Sequence, residues 1–237
     1  MHKLKIRPDV EERILKRRGQ LHVHATLDPA RTALVVIDMQ RAFVDPALPS
    51  AVPVAREIVP NINRLADVFR KRGSIVAWVY TTFTATAWNS WSAFFGGIYS
   101  REFSAAVIEN LSPGSYGHEL YDELNIGSSD WRVNKERFSA FLPGACNLGE
   151  QLEDANIDTV VIAGTVTNVC CESSARDAMM RNFNVVMAAD ANAALSDADH
   201  NASMTALAQT FADVQDVDTI IDILLAPNTS DLVVASS

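Results

Sequence analysis

Three side chains of this sequence are suited to chemistry at a carbonyl carbon: Asp38, Lys135 and Cys170. A thiolate is a strong nucleophile, and a nearby carboxylate can take the thiol's proton. An ammonium in the same pocket keeps the carboxylate ionised and favours the thiolate. Cys170 lies in the segment GTVTNVCCESSARDA. There Gly164 permits a sharp turn, and Thr167 is placed to cap a helix whose first turn holds Cys170. Helix N-termini favour anions, so a lowered thiol pKa is expected, with N–H groups free to serve an oxyanion. Each residue also has a plainer reading. Cysteine is often a small buried residue, Asp at a strand end often caps a loop, and Lys is usually on the surface.

The elements that must position these groups alternate between strand and helix. Near-continuous apolar runs predict strands at Thr32 to Asp38, Ser74 to Tyr80, Thr159 to Ala163 and Val185 to Ala189. Shorter strands are expected at Trp131 to Asn134 and Ala212 to Val214. Helices are expected at Pro60 to Arg72, Leu148 to Ala155, Asn168 to Asn182, Ala198 to Gln209 and Val217 to Leu225. In the first of these, Pro60 is expected near the first turn and Gly73 at the stop. Apolar strands separated by amphipathic helices imply a parallel sheet covered on both faces, a three-layer α/β/α sandwich of Rossmann-like type. In such sheets ligands bind beyond the strands' C-terminal ends, where Asp38, Lys135 and Cys170 all fall.

Residues 1–30 read as an N-terminal helical arm and 31–237 as the main domain. Thr81 to Tyr99 carries many aromatics without a clear period and reads as a long loop, a lid or subunit contact. The net charge of −9 and the absence of a basic face argue against nucleic acid as a partner. No apolar run approaches the roughly 20 residues that span a bilayer, and the charged N-terminus has no apolar signal region. Three cysteines do not suggest a disulfide framework, which fits the cytoplasm.

The segments ALVVIDMQRAFVDP, RVNKERFSAF and GTVTNVCCESSARDA together resemble the isochorismatase-like cysteine hydrolases, over about Arg31 to Leu225. The resemblance implies a six-stranded parallel sheet, a homodimer or homotetramer, and a triad of Asp38, Lys135 and Cys170. It also implies a cis peptide at Thr165–Val166 and an oxyanion hole from the N–H groups of Val166 and Cys170. Cys171 stands where the family commonly has valine. Nicotinamidases of the family carry an Asp-x-His metal site after the second strand; here VYTTFTATAWNSW has no histidine, so neither metal nor cofactor is expected. True isochorismatases lack the nucleophilic cysteine. The segment KERFSAF is most similar to the branch that cleaves small linear amides and ureido compounds.

For a small-molecule substrate, candidate contacts are Gln40, Phe43, Trp88, Phe138, Asn168 and Gln209, with core packing the plainer role for the aromatics. His22 and His24 form an i, i+2 pair without a third metal ligand and read as an exposed segment. His118 and His200 have no local partner, and Cys146 reads as a packing residue. Two alternatives remain open: a redox-sensing or non-catalytic protein using Cys170 and Cys171, and an ester or vinyl-ether hydrolase.

Overall fold

The computed structural model describes residues 1–226. The elements run in the order α1 (Pro8–Arg18), β1 (Thr32–Ile37), α2 (Arg41–Val44), α3 (Ala55–Lys71), β2 (Ile75–Thr81), α4 (Ala87–Ser90), α5 (Ser92–Phe95), α6 (Arg101–Asn110), β3 (Trp131–Lys135), α7 (Leu148–Asp154), β4 (Thr159–Thr165), a π-helical turn (Thr167–Cys171), α8 (Glu172–Met180), β5 (Asn184–Ala193), α9 (Asp197–Thr210), β6 (Asp213–Gln215) and α10 (Val217–Leu225).

All six strands are parallel, in the order β3-β2-β1-β4-β5-β6. The chain builds outward from β1 in one direction, then restarts at β4 and builds outward in the other. The switch point therefore lies between β1 and β4, whose following helices α3 and α8 pack on opposite faces of the sheet.

The two-residue period of a strand sends alternate side chains to opposite layers. Ala33, Val35 and Ile37 pack toward a layer that holds Val10 and Ile14 of α1, Leu148 and Leu152 of α7, Ala175 and Ala178 of α8, and Met204 and Leu207 of α9. Leu34 and Val36 face Ile58, Ile62, Leu65 and Phe69 of α3, and Ile220 and Leu224 of α10. A fully buried residue of this size contributes about 1.5–3 kcal/mol, so both layers are needed to hold the sheet.

Helix α3 starts earlier than expected. Pro60 stands inside it and not in its first turn. Proline removes one helical N–H, but burial of Ile58, Val59, Ile62, Leu65, Ala66 and Phe69 along one face outweighs that loss. The aromatic stretch after β2 is not an open loop. Helices α4 and α5 fold Phe83, Trp88, Trp91, Phe94 and Phe95 into a third cluster, joined by Val107, Ile108 and Leu111 around α6. Ser100 caps α6, its Oγ accepting from the Phe103 N–H at 3.2 Å.

The LHVH segment is largely exposed, as expected, and is anchored by hydrogen bonds. The N–H groups of Val23 and His24 donate to Asp213 Oδ2 at 2.7 and 2.9 Å, and the His22 ring pairs with Asp213 Oδ1 at 2.9 Å. These bonds tie the segment to β6, the strand at one edge of the sheet. Among the described residues no helix is long and apolar enough to cross a membrane.

Candidate active site

Asp38 follows β1 with a φ of +52°, a left-handed conformation that Asp tolerates better than most residues. Its N–H donates to the Val79 carbonyl at 2.8 Å, and its carbonyl accepts from Thr165 Oγ1 at 2.8 Å. The residue is thus pinned to the ends of both β2 and β4. Its side chain is fully buried. Oδ1 accepts from the Thr81 N–H and Thr81 Oγ1, each at 3.0 Å, and Oδ2 accepts from Lys135 Nζ at 2.8 Å.

Lys135 ends β3 and is also fully buried. Its ammonium donates to Asp38, to Thr81 Oγ1 and to the Arg137 carbonyl at 3.2 Å, and it lies 3.7 Å from Cys170 Sγ. Burial alone would lower its pKa. The Asp38 charge, with support from Cys170, outweighs burial and holds the ammonium above the usual lysine range. Thr81 was not anticipated. It ends β2 as Asp38 follows β1, and that shared position was the available signal.

Cys170 sits in the turn after β4. The peptide bond between Thr165 and Val166 is cis. Beyond it the chain makes a π-type turn: the Val166 carbonyl accepts from the N–H of Val169 at 3.0 Å and of Cys171 at 3.2 Å. That carbonyl passes over the Cys170 N–H between them. Such wide turns recur at functional sites. Ser174 Oγ donates to the Cys170 carbonyl at 2.7 Å and accepts from the Ala140 N–H at 2.9 Å, which fixes the turn against the segment after β3.

Two expectations about this turn are corrected. Thr167 does not cap the helix. Its hydroxyl pairs with His200 Nδ1 at 3.0 Å, and His200 in turn stacks on His2. His200 is therefore a buried partner of the turn and not an isolated residue. His118 also has partners, from other elements: its Nε2 pairs with Thr82 Oγ1 at 2.8 Å. The Cys170 pKa is raised, not lowered. Burial pushes the thiol up first, the Asp38 charge adds to this, and Lys135 opposes it. A helix N-terminus favours thiolate only where solvent or a cation meets the rest of the cost, and this thiol is 4% exposed. Burial and Asp38 thus favour the thiol form of Cys170. The adjacent Cys171 is wholly buried in the layer under the turn, and its thiol is held well above the usual range by burial. Cys146 packs in that same layer.

Cys170 faces a cavity of about 230 Å3. Phe43, Phe138 and Asn168 line it, together with Thr81, Phe83, Phe94, Tyr99, Phe103 and Val166. Three expected contacts lie elsewhere. Gln40 is fully buried and serves the backbone: Nε2 donates to the carbonyls of Thr81 and His118 at 3.0 and 2.9 Å, and Oε1 accepts from the Thr81 N–H at 2.8 Å. Trp88 packs on Phe95 in the aromatic cluster, behind the cavity wall. Gln209 is on the outer face of α9, its Nε2 donating to the Thr205 carbonyl at 3.1 Å, near Lys5 and Arg7. Among the described residues no three His, Cys, Asp or Glu side chains converge as a metal site.

This arrangement matches known proteins in sequence and in shape. The Isochorismatase domain family matches residues 32–219. A protein of Arabidopsis thaliana described as a probable inactive nicotinamidase is 34% identical over 175 residues, covering 73% of this chain and 86% of that protein. A cysteine hydrolase from Pseudomonas syringae pv. phaseolicola superimposes with a TM-score of 0.73 at 28% identity, over 84% of this chain and 94% of that one. The N-carbamoylsarcosine amidase from Thermoplasma acidophilum does so with a TM-score of 0.64 at 26% identity, over 79% and 97%. The matched region begins at β1 and ends in α10, and it contains Asp38, Lys135, Cys170 and most of the residues around the cavity that Cys170 faces; the chain belongs to the isochorismatase family of hydrolases.

Proposed function

We propose that this protein is a cysteine-dependent amidohydrolase that cleaves the C–N bond of a small linear amide or ureido compound. The observation that carries the reading is the buried chain of contacts from Asp38 through Lys135 to Cys170, open to a cavity only at the sulfur. The amidase among the structural relatives supports the same bond type.

A thiol with a raised pKa needs a base at the moment of attack. Asp38 takes the Cys170 proton as sulfur bonds to the substrate carbonyl carbon. Lys135 keeps the pair's charge balanced while the proton moves. The N–H groups of Val166 and Cys170 stabilise the oxyanion. Protonated Asp38 then gives its proton to the leaving nitrogen as the C–N bond breaks. Water, with Asp38 again as base, hydrolyses the thioester or thiocarbamate and restores the thiol.

The experiment is ammonia release from a panel of linear amides and ureas, with Cys170→Ala protein alongside. Release by the wild type that is lost in a folded Cys170→Ala variant is expected. An active, folded Cys170→Ala protein would sink the scheme.

A further inference from the structure

We propose that the substrate's acyl side is apolar and uncharged, so that the site takes a neutral primary amide bearing an alkyl chain or a single aromatic ring in preference to amides or ureas that carry a carboxylate. This deepens the amidohydrolase reading and rests on it for the bond that reacts.

The cavity before Cys170 is walled by Phe43, Phe83, Phe94, Phe103, Phe138 and Leu195. Its polar lining groups are neutral: Ser50, Thr81, Tyr99, Asn168 and the Cys170 thiol. No Lys, Arg or His lines it among the described residues, and residues 227–237 contain none of these in sequence. The nearest buried cation, Lys135, is already committed to Asp38, Thr81 and the Arg137 carbonyl. Arg41 of α2 and Arg137 after β3 are also engaged elsewhere. Arg41 lies over the Tyr116 ring, and Arg137 lies over the Trp91 ring with its side chain donating to the Ser90 carbonyl at 2.7 Å.

A carboxylate entering this cavity loses its water and gains no counter-charge, and that desolvation is costly. An apolar group meets the opposite situation, because aromatic walls reward it for leaving water. Size sets a further bound. A dry apolar cavity of about 150 Å3 is enough for benzene. The 230 Å3 here fits one ring on a short linker, or a chain of comparable bulk. Phe94 and Phe138 meet edge to face with centroids 5.1 Å apart, so ring edges and faces are both presented at the wall.

The test uses matched pairs that differ only by a distal carboxylate: hexanamide against adipic acid monoamide, and phenylacetamide against 4-(carbamoylmethyl)benzoate. Binding to the full-length Cys170→Ala protein is measured by calorimetry, and kcat/KM for ammonia release is measured on the wild type. The neutral member should bind at least tenfold tighter in both pairs, and Phe103→Arg should narrow the gap. A gap below tenfold in either pair, an unchanged gap in Phe103→Arg, or no binding of either neutral amide overturns the inference. Neutral amides that bind Cys170→Ala yet release no ammonia with the wild type support the inference and overturn the amidohydrolase reading, so the two failures are separable.

Discussion

Lys135 Nζ lies 2.8 Å from the Asp38 carboxylate, and neither side chain is exposed. Each charge in such a pair persists because the other is present. Lys135→Met strands the Asp38 carboxylate in the core and should cost about 3–5 kcal/mol of stability. Adding Asp38→Asn removes the stranded charge, so the double variant should recover at least half of that loss while remaining inactive. Urea unfolding of the single and double variants at pH 7 checks both statements. A single variant as stable as the wild type would mean that the two charges are not coupled.

Asp38 also raises the Cys170 pKa, after burial, while Lys135 lowers it. In the wild type, alkylation by iodoacetamide should be slow at neutral pH and rise about tenfold per pH unit into the alkaline range. Asp38→Asn leaves Lys135 as the nearest charge, so its Cys170 should be alkylated faster at pH 7, by roughly tenfold. Turnover should move the other way and fall by about 10²–10⁴, because the general base is gone. Slower alkylation in Asp38→Asn would reverse the sign argued here.

The same residues show what sequence can and cannot reveal. Asp38, Lys135 and Cys170 were legible because a parallel sheet puts strand C-termini on one edge, and strand position follows from apolar runs. The directions of Gln40, Trp88 and Gln209 were not. Those depend on which backbone groups a loop leaves unpaired and how aromatic rings pack, and residue type encodes neither. No element was expected between Tyr80 and Trp131, because aromatic packing of α4, α5 and α6 overrides the missing helical period. The sequence points to a lowered Cys170 pKa because it displays the local turn chemistry and not the burial that raises it.

Gly164 makes the closest backbone approach in the site's foundation. It has a φ of +119°, and a Cβ built there would sit 2.0 Å from the Ile37 carbonyl oxygen, where β1 pairs with β4. Backbone on both sides prevents relief. Gly164→Ala should therefore lose more than 4 kcal/mol, or about 10 °C or more in Tm for a domain of this size. Gly144→Ala is the control, with φ +79° and nothing within 4 Å of its Cβ. It carries only the left-handed penalty of about 1–2 kcal/mol. Thermal melts of the two variants should differ clearly. Equal losses would show that conformation, and not the approach to Ile37, sets the cost.

His200 links the nucleophile turn to the N-terminus. Its ring stacks on His2 with centroids 4.7 Å apart, and His2 is anchored by Asp197 at 2.6 Å. Burial, then the nearby His2, lowers the His200 pKa to about 4. The unfolded chain protonates this ring near pH 6.5 while the folded protein resists until about pH 4. Below pH 6.5 the unfolded state binds more protons, so stability falls as pH falls, by up to about 3 kcal/mol once pH passes the folded value. His200→Asn keeps a polar partner for Thr167 but cannot titrate. Denaturant unfolding at pH 7 and pH 5 should show a smaller acid loss in the variant than in the wild type. An unchanged acid loss would place that sensitivity in other groups, His24 and His118 among them, whose pKa values burial also lowers.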